Sequence, residues 1–79
     1  MGQSDLPVAS GKQHSAVLSS HFGWSVRRDG EHIVLTHPSV RNVNLSIPNH
    51  KEVSRALLQK QLRRAGIGDR EYRRAFDTL

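Results

Sequence analysis

At Trp24 the hydrophobic period of this chain changes from that of a helix to that of a strand, and past Pro48 it changes back. Before the first change, Val17, Leu18 and Phe22 share one helical arc, with His14 and His21 beside them, expected as partly buried or edge residues. Between the changes, Trp24, Val26 and Arg28 alternate with Ser25 and Arg27, and Val43, Leu45 and Ile47 alternate with Asn44 and Ser46. After the second change, Val53, Leu57, Leu58, Leu62 and Ala65 fill one half of a helical wheel, and Arg55, Gln59, Lys60 and Arg63 fill the other. A chain ordered in this way segregates helices from strands, which is the pattern of an α+β fold.

Local signals punctuate the pattern. Ser10-Gly11-Lys12-Gln13 reads as a capping box, and Gly23 ends the helix it opens. Asp29-Gly30 predicts a tight hairpin turn, with the glycine supplying positive φ. Glu31–Thr36 is the returning strand, carrying Ile33-Val34-Leu35, and 38–42 reads as a loop. Pro48 stops the third strand. Either Asn49 with Glu52, or Ser54 alone, caps a helix that runs to about Ala65 and closes at Gly66. Asp69 caps a last helix, with Tyr72, Ala75, Phe76 and Leu79 on its apolar side. Residues 1–9 are polar, contain Pro7 and lack periodicity, so they are expected to form a flexible arm ahead of one domain over 10–79. The predicted order is α-β-β-β-α plus a short C-terminal helix, with the helices on one face of a three-stranded antiparallel sheet.

Composition narrows the partners. With 79 residues there is room for one domain, and with no cysteine there is neither a disulfide nor a thiolate metal site. No apolar run approaches the roughly 18 residues that span a bilayer, and no charged-then-apolar leader opens the chain, so a soluble, cytoplasmic protein is expected. The net charge is +5 and the pI about 10.8, a balance that favours a polyanion. Residues 51–79 hold eight Lys and Arg against four Asp and Glu, so most of the excess sits in the C-terminal third. These charges lack the bulky aromatic face of a membrane-surface helix. His14, His32, His37 and His50 are spaced in no closed zinc pattern, and no metal or cofactor is expected.

The segment Gly30-Glu31-His32-Ile33-Val34-Leu35-Thr36-His37-Pro38-Ser39 holds the main candidate for chemistry. It sets His32 at the mouth of an apolar strand, directly after a glycine turn. Imidazole both takes and gives protons near neutrality, and on so basic a small protein that points to work on a nucleic acid, RNA in particular. The plainer alternative is a strand-edge histidine without chemistry. His37, five residues on, faces away from His32 on a regular strand and is expected to be structural. His50, in the approach to the basic helix, is a candidate second proton-transfer group or phosphate contact. Arg27, Arg28, Lys51, Arg55, Lys60 and Arg63 are the candidate phosphate contacts, which grip without reading sequence.

Several segments together resemble the HicA family of toxins, small mRNA interferases paired with HicB antitoxins. Ser10-Gly11-Lys12 and Gly23-Trp24 bracket the first helix as in many members. Gly30-Glu31-His32, the strand that follows and His37-Pro38 match the family signature of glycine, serine and histidine before a strand and His-Pro. Ile47-Pro48-Asn49-His50-Lys51-Glu52 and Leu58 to Ile67 are similar to the approach to the second helix and to that helix with its glycine stop. The likeness covers residues 10–79. It departs from the family at Glu31, where the serine stands, at Asp29, where a basic residue stands, and in a somewhat longer loop after the second strand. The resemblance implies a double-stranded-RNA-binding-domain-like fold, His32 as the catalytic histidine, and mRNA and a HicB-like antitoxin as partners. It implies cleavage by the RNA's own 2′-OH, with no metal. Two other readings stay open: a non-catalytic RNA-binding module of the same fold, which the acids at 29 and 31 favour, and an interaction subunit whose basic face docks an acidic partner.

Overall fold

Ser10 opens the first helix with both bonds of a capping box: its Oγ accepts from the Gln13 amide at 3.1 Å, and Gln13 Oε1 accepts from the Ser10 amide at 3.0 Å. Helix α1 then runs Gly11–Phe22 in the computed structural model, which describes residues 6–78. Gly23 ends it at φ 78°, a left-handed conformation that glycine reaches without a Cβ penalty. The chain continues as β1 Ser25–Asp29, β2 His32–His37, β3 Val40–Pro48, α2 Arg55–Ala65 and α3 Asp69–Asp77. The sheet has the order β1-β2-β3, antiparallel throughout, so the α+β order expected from the sequence is the order of the fold.

Alternation along the strands decides which side chains build the core. Ile33 and Leu35 of β2 stand opposite Ile47 and Leu45 of β3, and all four are buried. Val17 and Leu18 of α1, Leu58 and Leu62 of α2, and Tyr72 of α3 complete the cluster with Leu6, Trp24, Val53 and Ile67. Each fully buried aliphatic side chain contributes about 1.5–3 kcal/mol relative to leaving it in water. Helix α2 also covers the outer edge of β3: the Ser46 amide, which points out of the sheet, donates to Gln61 Oε1 at 3.2 Å. That bond explains why Gln61 is buried although polar.

Four local expectations are corrected, and one open alternative is settled. Leu6, Pro7 and Ala9 are buried rather than part of an arm. The Leu6 carbonyl accepts from Arg55 Nε at 3.0 Å and the Ala9 carbonyl from the Val53 amide at 2.9 Å. Residues 1–5 of the expected arm lie outside the described residues. The loop expected over 38–42 shrinks to Pro38 and Ser39, because Val40 already pairs with His37 and Asn42 stays in the strand at φ 65°. Gly30 is not among the residues with positive φ. Of the two proposed caps of α2, Ser54 is the one used, its Oγ accepting from the Leu57 amide at 3.2 Å. Gly68, not Asp69, is the N-cap of α3, and its amide donates to Glu71 Oε1 at 3.4 Å.

Candidate active site

His32 is the first residue of β2, directly after the Gly30-Glu31 turn that follows β1. Across the sheet it stands opposite Pro48, and Val34 stands opposite Ser46. The Ser46 amide faces Gln61 rather than β2, so Ser46, and Pro48 two residues on, hold positions whose N–H points out of the ladder. A proline there forfeits no sheet bond. Pairs of this kind also sit close, with Cα atoms about 4.5 Å apart. Since Ile33 and Leu35 face the core, His32 and Val34 belong to the opposite face of the sheet. The His32 side chain is exposed and has no hydrogen-bonding or ionic partner among the described residues. Glu31 is also exposed and makes no ion pair with it.

Two further segments converge on this end of the sheet. Beyond Pro48, the Asn49 amide donates to the Glu31 carbonyl at 2.9 Å, and the exposed His50 and Lys51 follow it in the chain. Helix α1 is pressed against the same connection. The Gly11 amide donates to the His50 carbonyl at 2.9 Å, and a Cβ on Gly11 would run into the Pro48 carbonyl oxygen. That close approach requires glycine and brings the N-terminal turn of α1, with exposed Lys12, to the same end. Lys12 was not among the phosphate contacts read from charge patterning. The signal for it was the Ser10-Gly11-Lys12 segment.

The remaining candidates are more dispersed. Arg27 and Arg28 are exposed on β1, whose outer edge has no neighbouring strand among the described residues. A register shift between Val26 and Arg28 leaves Arg27 without a cross-strand partner. Arg55 stands in the first turn of α2 and is committed in part to the Leu6 carbonyl. Lys60 and Arg63 are exposed one to two turns farther along the same helix, Arg63 about 12 Å beyond Arg55.

The other histidines have structural surroundings. His37 Nδ1 accepts from the Ser39 amide at 3.0 Å, and its ring lies edge-on to Trp24 at 5.2 Å, so it closes the β2–β3 turn. His21 Nε2 lies 3.4 Å from Thr78 Oγ1 at the far end of α1. His14, expected at a partly buried edge, is fully buried, 2.6 Å from the Tyr72 hydroxyl through Nδ1 and without a partner at Nε2. Burial lowers its pKa from 6.5 to about 4 and raises that of Tyr72 well above the usual phenolic range. Among the described residues no group of three or more His, Asp or Glu stands together to hold a metal ion, and no helix is long and apolar enough to cross a membrane.

A model of the HicA toxin of bacterial toxin-antitoxin pairs matches residues 11–67, well over half of the 79-residue chain. The match begins at the glycine packed against Pro48, includes the turn and His32, and ends before α3. Neither the curated proteins nor the solved structures provide a match. The chain belongs to the HicA toxin family of bacterial toxin–antitoxin systems, and its membership implies an antitoxin as partner.

Proposed function

We propose that this chain is the toxin of a HicA/HicB-type pair, an endoribonuclease that cuts mRNA independently of translation and without a metal ion. The observation that carries the reading is the placement of His32, exposed and unpartnered at the open end of β2, with His50, Lys51 and Lys12 at the same end. RNA brings its own nucleophile, so the protein needs little beyond a base and a grip on phosphate. Neutral imidazole of His32 takes the proton of a 2′-OH, and that oxygen attacks the adjacent phosphorus. The bond from phosphorus to the 5′-oxygen breaks, leaving a 2′,3′-cyclic phosphate and a 5′-OH. His50 is the candidate to protonate the departing oxygen. General acid–base catalysis of this kind contributes typically 10²–10⁴-fold. Arg27, Arg28, Lys51, Arg55, Lys60 and Arg63 supply the phosphate grip, and the net charge of +5 draws RNA in. A HicB-like antitoxin silences the toxin by covering His32.

The test is cleavage of protein-free single-stranded RNA by the purified chain in the presence of chelator. Cyclic-phosphate products, blockage by 2′-deoxy substitution at the scissile nucleotide, and loss of cleavage in folded His32→Ala are the expected results. Products bearing a 3′-OH overturn the mechanism. RNA binding without cleavage from about pH 5 to about 8, the range in which imidazole changes charge, overturns the nuclease reading. It would leave a non-catalytic RNA-binding module.

A further inference from the structure

We propose that Asn49 is the positioning residue for His32, acting by pinning the β1–β2 turn from the third strand. The inference rests on His32 being the general base. Asp29 pairs with Ile33 in the ladder, but Gly30 and Glu31 between them have little else of their own to hold them. Gly30 does not take the positive φ that tight two-residue hairpin turns use. A Cβ on it would meet nothing within 4 Å, and one bond spans the turn itself, from the Gly30 amide to the His32 carbonyl at 3.3 Å. Yet the residue that this turn must aim is the first one after it.

Asn49 supplies the missing constraint. Its main-chain amide donates to the Glu31 carbonyl at 2.9 Å. Its side-chain Nδ2 donates to the Gly30 carbonyl at 3.0 Å and to Asp29 Oδ1 at 3.3 Å. Both side-chain partners are acceptors, so the amide can meet them only with its NH₂ end. The end of β1 and both turn residues, Gly30 and Glu31, are therefore tied to one residue, which itself follows the cross-strand neighbour of His32. The same side chain engages the Asp29 carboxylate, a negative charge that would otherwise stand near the phosphate with no donor against it. Truncating the side chain leaves the main-chain bond and removes the other two. A base that wanders by about 1 Å can lose a hundredfold in rate.

The experiment pairs kinetics on an RNA oligonucleotide with amide hydrogen exchange. In Asn49→Ala, kcat falls roughly 10- to 100-fold, while KM stays within about twofold because the phosphate contacts are untouched. Exchange at Gly30, Glu31 and His32 accelerates, and exchange in the α2 core does not. Asn49→Asp, which sets two carboxylates face to face, is slower still. Adding Asp29→Asn to it swaps donor and acceptor and recovers part of the loss. A purely structural role would lower the unfolding temperature without separating kcat from KM and without recovery in the swap. Unchanged kcat or unchanged exchange at the turn in Asn49→Ala overturns the proposal, as does a swap no faster than Asn49→Asp alone. If the wild type cuts no RNA, the nuclease reading fails and the positioning role with it, while the exchange measurement still decides whether Asn49 holds the turn.

Discussion

The Nδ1 of His14 lies 2.6 Å from the hydroxyl of Tyr72, a bond that joins α1 to α3 across 58 positions of sequence. The Phe76 ring lies 5.8 Å from the imidazole, and both His14 and Tyr72 are fully buried. The other ring nitrogen of His14 has no partner among the described residues, so a second proton there would have to be accommodated without solvent. This pair makes the docking of α3 sensitive to acid. Burial lowers the His14 pKa from 6.5 to about 4, so the unfolded chain binds more protons than the folded one between those values. Stability is then full above about pH 6.5 and declines toward pH 4, by a total on the order of 3 kcal/mol. Urea melts across this range should show the decline, and in folded His14→Phe that part of it should be absent. Tyr72 acts in the opposite sense: its raised pKa makes its contribution complete below pH 10 and lost as pH rises further.

Tyr72→Phe removes the hydroxyl and leaves both His14 nitrogens without a partner. The expected loss is about 1–3 kcal/mol, the usual range for an orphaned buried polar group. Thermal or urea unfolding measures it, and an unchanged midpoint would show that the bond contributes nothing net.

Two glycines should respond in opposite ways to the same substitution. In Gly11→Ala the new methyl runs into the Pro48 carbonyl, so α1 must back away from the end of β3. A destabilisation of about 1–3 kcal/mol follows from overpacking against rigid backbone. In Gly30→Ala the methyl meets nothing within 4 Å and φ is not positive, so stability holds or rises by about 0.4–1 kcal/mol. Parallel melts of the two variants settle the comparison.

The basic residues of α2 should separate into two classes. Arg55→Ala breaks the bond to the Leu6 carbonyl and should cost stability, about 1 kcal/mol, as well as RNA affinity. Charge reversal at the exposed Lys60 and Arg63 should leave melting unchanged and weaken RNA binding across sequences. The salt slope should flatten by roughly 0.7 for each phosphate that is no longer neutralised. Unchanged affinity in the folded double variant would move the binding surface to β1, where Arg27 and Arg28 are exposed.

Antitoxin binding should protect His32 from a histidine-selective reagent. The buried His14 provides an internal standard that stays unmodified with or without partner. A stable interface of this kind buries on the order of 1,200–2,000 Å² in total. An acidic partner opposite Arg27, Arg28 or Lys51 should associate more slowly at high salt, with dissociation less affected. A tight complex in which His32 reacts as fast as in the free chain would place the interface elsewhere.

Much of this architecture was legible because its causes lie within a few residues of one another. The Ser10–Gln13 capping box, the glycine ends at 23 and 66 and the alternation over Val43–Ile47 are local physics, and they appear where the pattern placed them. The motif around His32 was equally visible, since a glycine turn, a histidine and an apolar strand are adjacent in sequence. Tertiary structure decided the rest. The bonds from the Arg55 side chain to the Leu6 carbonyl and from the Val53 amide to the Ala9 carbonyl pull a segment without periodicity into the core. Docking of α3 makes His14 a buried partner of Tyr72 rather than an edge residue. The turn before His32 looked self-sufficient from Asp29-Gly30, yet it is held by Asn49, about twenty residues away. A local pattern sets which face a side chain shows to the core. It carries no information about which distant donor meets an unpaired carbonyl, because that depends on how the sheet closes and where the helices come to rest.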